Sequence, residues 1–199
     1  MRAKLSSVLL LAGVVIVSVG CSSDVLRQDR SPMLVVIDRL EAASGAEGTS
    51  AVFGATLFSD VITVVDNVPT VFADNGRVTM RLIPKDTVAA PSPLNGVTIT
   101  RYRVTFRRSD GRNTPGIDVP HPFDSAMTFT VPPSGSVATT FELVRHVAKA
   151  DAPLRALRDS GLIISTIADV TFFGRDLAGH ELTASGSLGV EFGNFGDPD

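Results

Sequence analysis

The chain has no tryptophan, one tyrosine and one cysteine, and its 18 basic and 21 acidic residues nearly cancel over 199 positions. Each scarcity excludes something. A single Cys makes no internal disulfide and supplies no cysteine-rich zinc site. The absence of a cationic excess argues against gripping a phosphate backbone, so no nucleic-acid partner is expected. With 11 of the 12 aromatics being Phe, stacking platforms for sugars are disfavoured, because half-wet sites use the amphipathic rings of Trp and Tyr. What is present is ordinary for a globular chain, with 44% hydrophobic and 20% charged residues. That composition excludes disorder of the bulk, and the length suits one domain with an extension.

The extension is at the N-terminus. Arg2 and Lys4 form a positive start, and an uncharged stretch follows from Leu5 to Ser23, with Leu9–Val17 as its apolar centre. Ser18-Val19-Gly20 then places small residues before Cys21. This is the pattern of a secretory signal peptide over residues 1–20. A retained membrane helix is the rival reading, since about 20 apolar residues are needed to span. The strongly apolar part here is shorter than that.

Ser18-Val19-Gly20-Cys21 resembles the lipobox of bacterial lipoproteins. The resemblance covers residues 1–21 and departs from the usual pattern at Ser18, which also fits an ordinary signal-peptidase site. It implies that Cys21 becomes the first mature residue and carries acyl chains. The only Cys of the chain stands directly after the expected cut, where an exported protein would otherwise carry a free thiol. Two or more acyl chains hold a protein stably on a membrane, at about 0.8 kcal/mol per buried methylene. Ser22, rather than Asp, follows the Cys, and by the resemblance this permits transfer to an outer membrane where the host has one. The expected location is therefore the cell envelope, lipid-anchored, on the periplasmic or surface side. Loss of Arg2 and Lys4 leaves a more acidic mature chain. Residues 21–32 read as lipidated Cys and tether, about 33 Å long for ten extended residues, and 33–199 as the folded domain.

Most of that domain reads as strands. Met33–Ile37 is a β-branched run, although Ser31 as N-cap, Pro32 and a stop at Gly45 keep a helix open. Ala42–Ser50 reads as a small-residue loop. Val78, Met80 and Leu82 alternate with polar residues after a turn signal at Asp74-Asn75-Gly76. Tyr102, Val104 and Phe106 alternate with Arg101, Arg103, Thr105 and Arg107. Met127, Phe129 and Val131 form another set, as do Val137, Phe141 and Leu143, then Ala168, Val170 and Phe172. Leu182, Ala184, Leu188, Val190 and Phe192 close the chain after a hairpin loop at Gly174–Gly179. One helical turn is expected after Asp151, with Leu154 and Leu157 closing an end of the fold.

About seven short strands with turn signals between them predict an all-β, antiparallel β-sandwich. Over residues 33–195 the architecture resembles an immunoglobulin-like sandwich, with fibronectin-like and transthyretin-like topologies as open variants. The core Trp and inter-sheet disulfide of antibody domains are absent. The last strand and Gly193–Asp199 resemble the end of bacterial exported sandwich domains, a likeness that implies no activity.

Chemistry is sparse. His121, His146 and His180 share no zinc spacing with other ligand-type residues. Ser185-Gly186-Ser187-Leu188-Gly189 is no nucleophile elbow, and its small residues suggest a bulge or a close approach of two sheets. Neither a catalytic residue, a cofactor nor a metal is assigned, and the chain is not expected to be an enzyme. The alternatives are an envelope hydrolase with an unrecognised site and a Ca²⁺-binding module drawing on Asp74, Asp110, Asp118, Asp124, Asp176, Asp197 and Asp199. Asp is also a common turn residue. The sharpest surface feature is the ladder Arg101, Arg103 and Arg107, joined by Arg108, a stripe that suits an anionic partner. A solvated or aggregation-guarding strand face is the plainer reading. The overall expectation is a lipid-anchored envelope protein with a binding or structural role, touching the membrane and another envelope protein.

Overall fold

The computed structural model describes residues 31–88 and 90–195. Cys21, the segment 1–20, most of the tether and the last four residues lie outside the described residues. Strands take 55% of the described residues and helices 11%, so the all-β expectation is met. No helix among the described residues is long and apolar enough to cross a membrane.

Among the described residues ten strands are formed: β1 (Met33–Ala43), β2 (Thr56–Asp60), β3 (Thr63–Val65), β4 (Val68–Thr70), β5 (Asp74–Pro84), β6 (Val97–Arg107), β7 (Phe123–Val131), β8 (Ser136–Val144), β9 (Ile164–Asp176) and β10 (Glu181–Gly193). A short helix α1 (His146–Ala150) and a 3-10 turn (Leu154–Leu157) separate β8 from β9. Sheet A has the order β1-β5-β8. Sheet B has the order β2-β10-β9-β6-β7 and curls into half a barrel. All pairs in these two sheets are antiparallel except β2 with β10. β3 and β4 make a separate hairpin. Its turn residues Asp66 and Asn67 both have positive φ, 51° and 63°, which is the backbone of a type I′ turn.

The two sheets share one core. Val78, Met80 and Leu82 of β5 and Leu143 of β8 face Val104 of β6, Phe172 of β9 and Val190 of β10. The period-two pattern of these strands produces this arrangement, since every second side chain leaves water together. The aromatic centre joins the layers, with Tyr102 and Phe172 on sheet B packing on Phe141 from sheet A at 5.0 and 5.3 Å between ring centroids. β1 also packs on β10. A side chain at Gly186 would come within 3.1 Å of Leu40 and 3.3 Å of Ile37, so of the two readings of that small-residue strand, bulge or close sheet approach, the second describes it.

The N-terminal run is a strand, as its β-branching favours, and it extends past Ile37 through Asp38, Arg39 and Glu41 to Ala43, where Arg81 and Arg77 on β5 pair with Asp38 and Glu41. Two local expectations change. The residues expected as a loop after Ala42 contain a 3-10 segment, Gly45–Ser50. Asp74-Asn75-Gly76 is not a turn but the start of β5. Gly76 stands there because the Phe141 ring fills the space a side chain would need. His146 opens α1, and Leu154 and Leu157 in the following turn are buried as expected.

Candidate functional site

The outward face of sheet B carries a dense set of polar side chains. β6 alternates strictly up to a bulge between Ile99 and Arg101. The bulge leaves Thr100 and Arg101 both exposed, and beyond it Arg103, Thr105 and Arg107 also face water. The sequence-predicted ladder is therefore on one face. Arg108 follows the strand and turns back into the β6–β7 loop.

Each of the four arginines meets a carboxylate. Arg101 Nη1 lies 2.8 Å from Asp124 Oδ1, and Arg103 Nε is 3.4 Å from Oδ2 of the same residue. Arg107 Nε donates to Asp169 Oδ2 at 2.6 Å. Arg108 and Arg112 clamp Asp110 at 2.7 and 2.9 Å. The backbone N–H and guanidinium of Arg112, with the guanidinium of Arg108, hold the Asp110 carboxyl at a pKa of about 2. The stripe is thus a set of ion pairs rather than uncompensated charge. The pairs on β6 remain wet, with the side chains of Arg101, Arg103 and Arg107 exposed at 49%, 53% and 50%. Such surface pairs contribute about 0–1 kcal/mol each, so a well-matched ligand displaces them at small cost.

Hydroxyls fill the rest of the face. Thr171 and Ser185 share a hydrogen bond of 3.0 Å, Ser187 donates to Asp169 at 2.6 Å, and Thr98 meets Thr130 at 3.2 Å. A depression of about 380 Å³ opens on this face, lined by Thr100, Arg101, Phe173, Arg175, Glu181 and Thr183. Gly174 at its edge is a close approach of β9 to β6, where a side chain would strike the Thr98 carbonyl and Ile99. The Arg101 guanidinium lies 3.7 Å from the centre of the Phe173 ring, and Arg175 pairs with Glu181 at 2.9 Å. The depression offers two guanidinium groups, a carboxylate, an aromatic face and hydroxyls within one small area. Arg101 was legible from alternation. Phe173 and Arg175 were not singled out, although they continue the alternation of Ala168, Val170 and Phe172 on the opposite face.

The histidines are scattered. His121 packs over Gly116 in the β6–β7 loop, and His146 opens α1. His180 bonds Asp176 in the β9–β10 turn, Nδ1 to Oδ2 at 2.8 Å. Asp176 also accepts from the backbone N–H groups of Ala178 and His180. Burial pushes the Asp176 pKa up, but the hydrogen bonds from His180 and Ser31 outweigh it and hold the carboxyl below its ordinary value. Among the described residues no three His, Cys, Asp or Glu gather as metal ligands. Asp74 is buried beside Lys149, Asp118 accepts from Thr114 N–H, and Asp110, Asp124 and Asp176 are engaged as described above. Asp197 and Asp199 lie outside the described residues, as does Cys21.

No family model matches this chain, and no match to it is found among curated proteins or solved structures.

Proposed function

We propose that this chain is an exported bacterial lipoprotein, anchored through Cys21, whose domain binds another envelope component through the outer face of sheet B. The anchor rests on the run Arg2, Lys4, Leu9–Val17 and Ser18-Val19-Gly20-Cys21. The binding role rests on one observation above all. The depression beside β6 brings Arg101, Phe173, Arg175 and Glu181 together on a solvent-facing sheet surface, where charged and aromatic groups act in recognition.

We infer an immunoglobulin-like arrangement for the domain. Several features support it. Sheet A in the order β1-β5-β8 corresponds to strands A, B and E, and sheet B in the order β10-β9-β6-β7 to G, F, C and C′. The first strand divides between the sheets, β1 in one and β2 in the other. Tyr102 on the C-like strand occupies the central place that a Trp takes in antibody domains. In such domains the C′-C-F-G face and its end loops are exposed to partners, which agrees with the surface described above.

The competing class is an envelope hydrolase, and the Asp176–His180 hydrogen bond is the one feature that favours it, since an oriented imidazole is a general-base arrangement.

Native-membrane crosslinking and pull-down, comparing the full chain with an Arg101→Glu/Arg103→Glu/Arg107→Glu/Arg108→Glu variant, tests the binding face. The expected result is loss of specific crosslinked partners in the variant. An unchanged partner set discards this face.

A further inference from the structure

Asp74 opens β5, Lys149 belongs to α1, and their side chains meet inside the protein. Both are completely buried, and Lys149 Nζ lies 2.8 Å from Asp74 Oδ2. A buried ammonium normally satisfies its three donors, yet Nζ has no aligned hydrogen-bond acceptor among the described residues. The carboxyl group is held from two other directions. Gly45 N–H donates to Oδ1 at 3.1 Å, and the Ser59 hydroxyl donates to Oδ2 at 2.6 Å. An amine in contact with a fixed carboxyl group, sealed from water, has the geometry of a condensation rather than of a well-satisfied ion pair.

We propose that Asp74 and Lys149 become joined by an intramolecular isopeptide bond. A proton first passes from the ammonium to the carboxylate, giving amine and carboxylic acid, the neutral pair that a low-dielectric interior favours. The Nζ lone pair then attacks Cγ. Negative charge develops on Oδ1, where the Gly45 N–H meets it. The Cγ–Oδ2 bond breaks as nitrogen sheds one proton, and Oδ2 leaves as water carrying that proton and its own. The Ser59 hydroxyl, bonded to Oδ2, is placed to relay the transfer. One amide forms, one water is released, and no oxidant or reductant takes part. Burial raises the Asp74 pKa against the pull of Lys149, Ser59 and Gly45, in keeping with a carboxyl group that accepts the proton.

The bond ties the first residue of β5 to the helix between β8 and β9. Such a link constrains the unfolded chain as a disulfide does, in a sequence whose single Cys provides none. The inference is independent of the binding role proposed above.

Tryptic mapping of the full-length protein by mass spectrometry tests it. The expected result is a linked pair, Leu40–Arg77 joined to His146–Arg155, one water lighter than the two peptides together, with no cleavage after Lys149. In an Asp74→Asn chain ammonia leaves instead of water, and a linked pair of the same mass is expected. A Lys149→Arg chain separates the peptides. Free Leu40–Arg77 and free His146–Lys149 from the wild-type chain overturn the proposal, as does a linked pair that persists in Lys149→Arg.

Discussion

The Tyr102 hydroxyl donates to the Glu142 backbone carbonyl at 2.9 Å, so the only tyrosine of the chain bonds across from β6 in sheet B to β8 in sheet A. Its ring meanwhile packs against Phe141, Phe172 and Phe123. Burial raises the Tyr102 pKa further above neutrality. Tyr102→Phe preserves the ring and removes the bond. It is expected to cost about 1 kcal/mol, the net value of one such hydrogen bond. Tyr102→Ala is expected to cost about 3–5 kcal/mol through the cavity. Urea denaturation of both variants measures the difference.

Gly186 tests how closely the sheets meet. A Cβ at this position stands 3.1 Å from Leu40 and 3.3 Å from Ile37, so Gly186→Val is an overpacking change. The expected loss is about 1–3 kcal/mol. Combining it with Leu40→Ala is expected to recover part of that loss, because the added methyl groups then have room. Additive losses in the double variant would show that β1 is not the surface Gly186 approaches.

Asp176 gives the fold an acid dependence with a definite sign. Its folded pKa lies below the ordinary 3.8, so its stabilising contribution is complete above that value. The contribution is lost as pH falls through the lower folded value. Asp176→Asn is expected to destabilise by about 1–2 kcal/mol at neutral pH, since the bonds lost are to a charged acceptor. The gap to wild type is expected to close in strong acid. Denaturation at pH 7 and below pH 3 checks this, and a gap of equal size at both would remove the assignment.

Strands with one buried and one wet face were legible in the sequence. Tyr102, Val104 and Phe106 announced β6 because their polar partners face water, and the same alternation placed the arginines correctly. β3 and β4 were not legible, because Val64, Val65 and Val68 are all exposed and a hairpin without a buried face has no alternation. Helix α1 is five residues long, too short to show a period. Asp74 looked like a turn residue because the local sequence carries no sign of Lys149, which is 75 positions away and meets it only because α1 follows β8, the neighbour of β5 in sheet A. The candidate site was half legible for a related reason. Arg103 could be placed on a face, but its carboxylate partner follows from strand register, which sets Asp124 opposite it. No local pattern states that pairing. Phe173 and Arg175 join Arg101 only because β9 lies beside β6.

The lipid anchor is the claim on which the proposed localisation depends, and the attachment it proposes is made at one residue, Cys21. Fractionation of cells producing wild-type and Cys21→Ala chains, with metabolic labelling by a radioactive fatty acid, tests it most directly. The account predicts a labelled wild-type chain in the membrane fraction, and an unlabelled variant that is released in soluble form or left unprocessed. A processed Cys21→Ala chain that stays in the membrane fraction, or a wild-type chain that takes up no label, contradicts it.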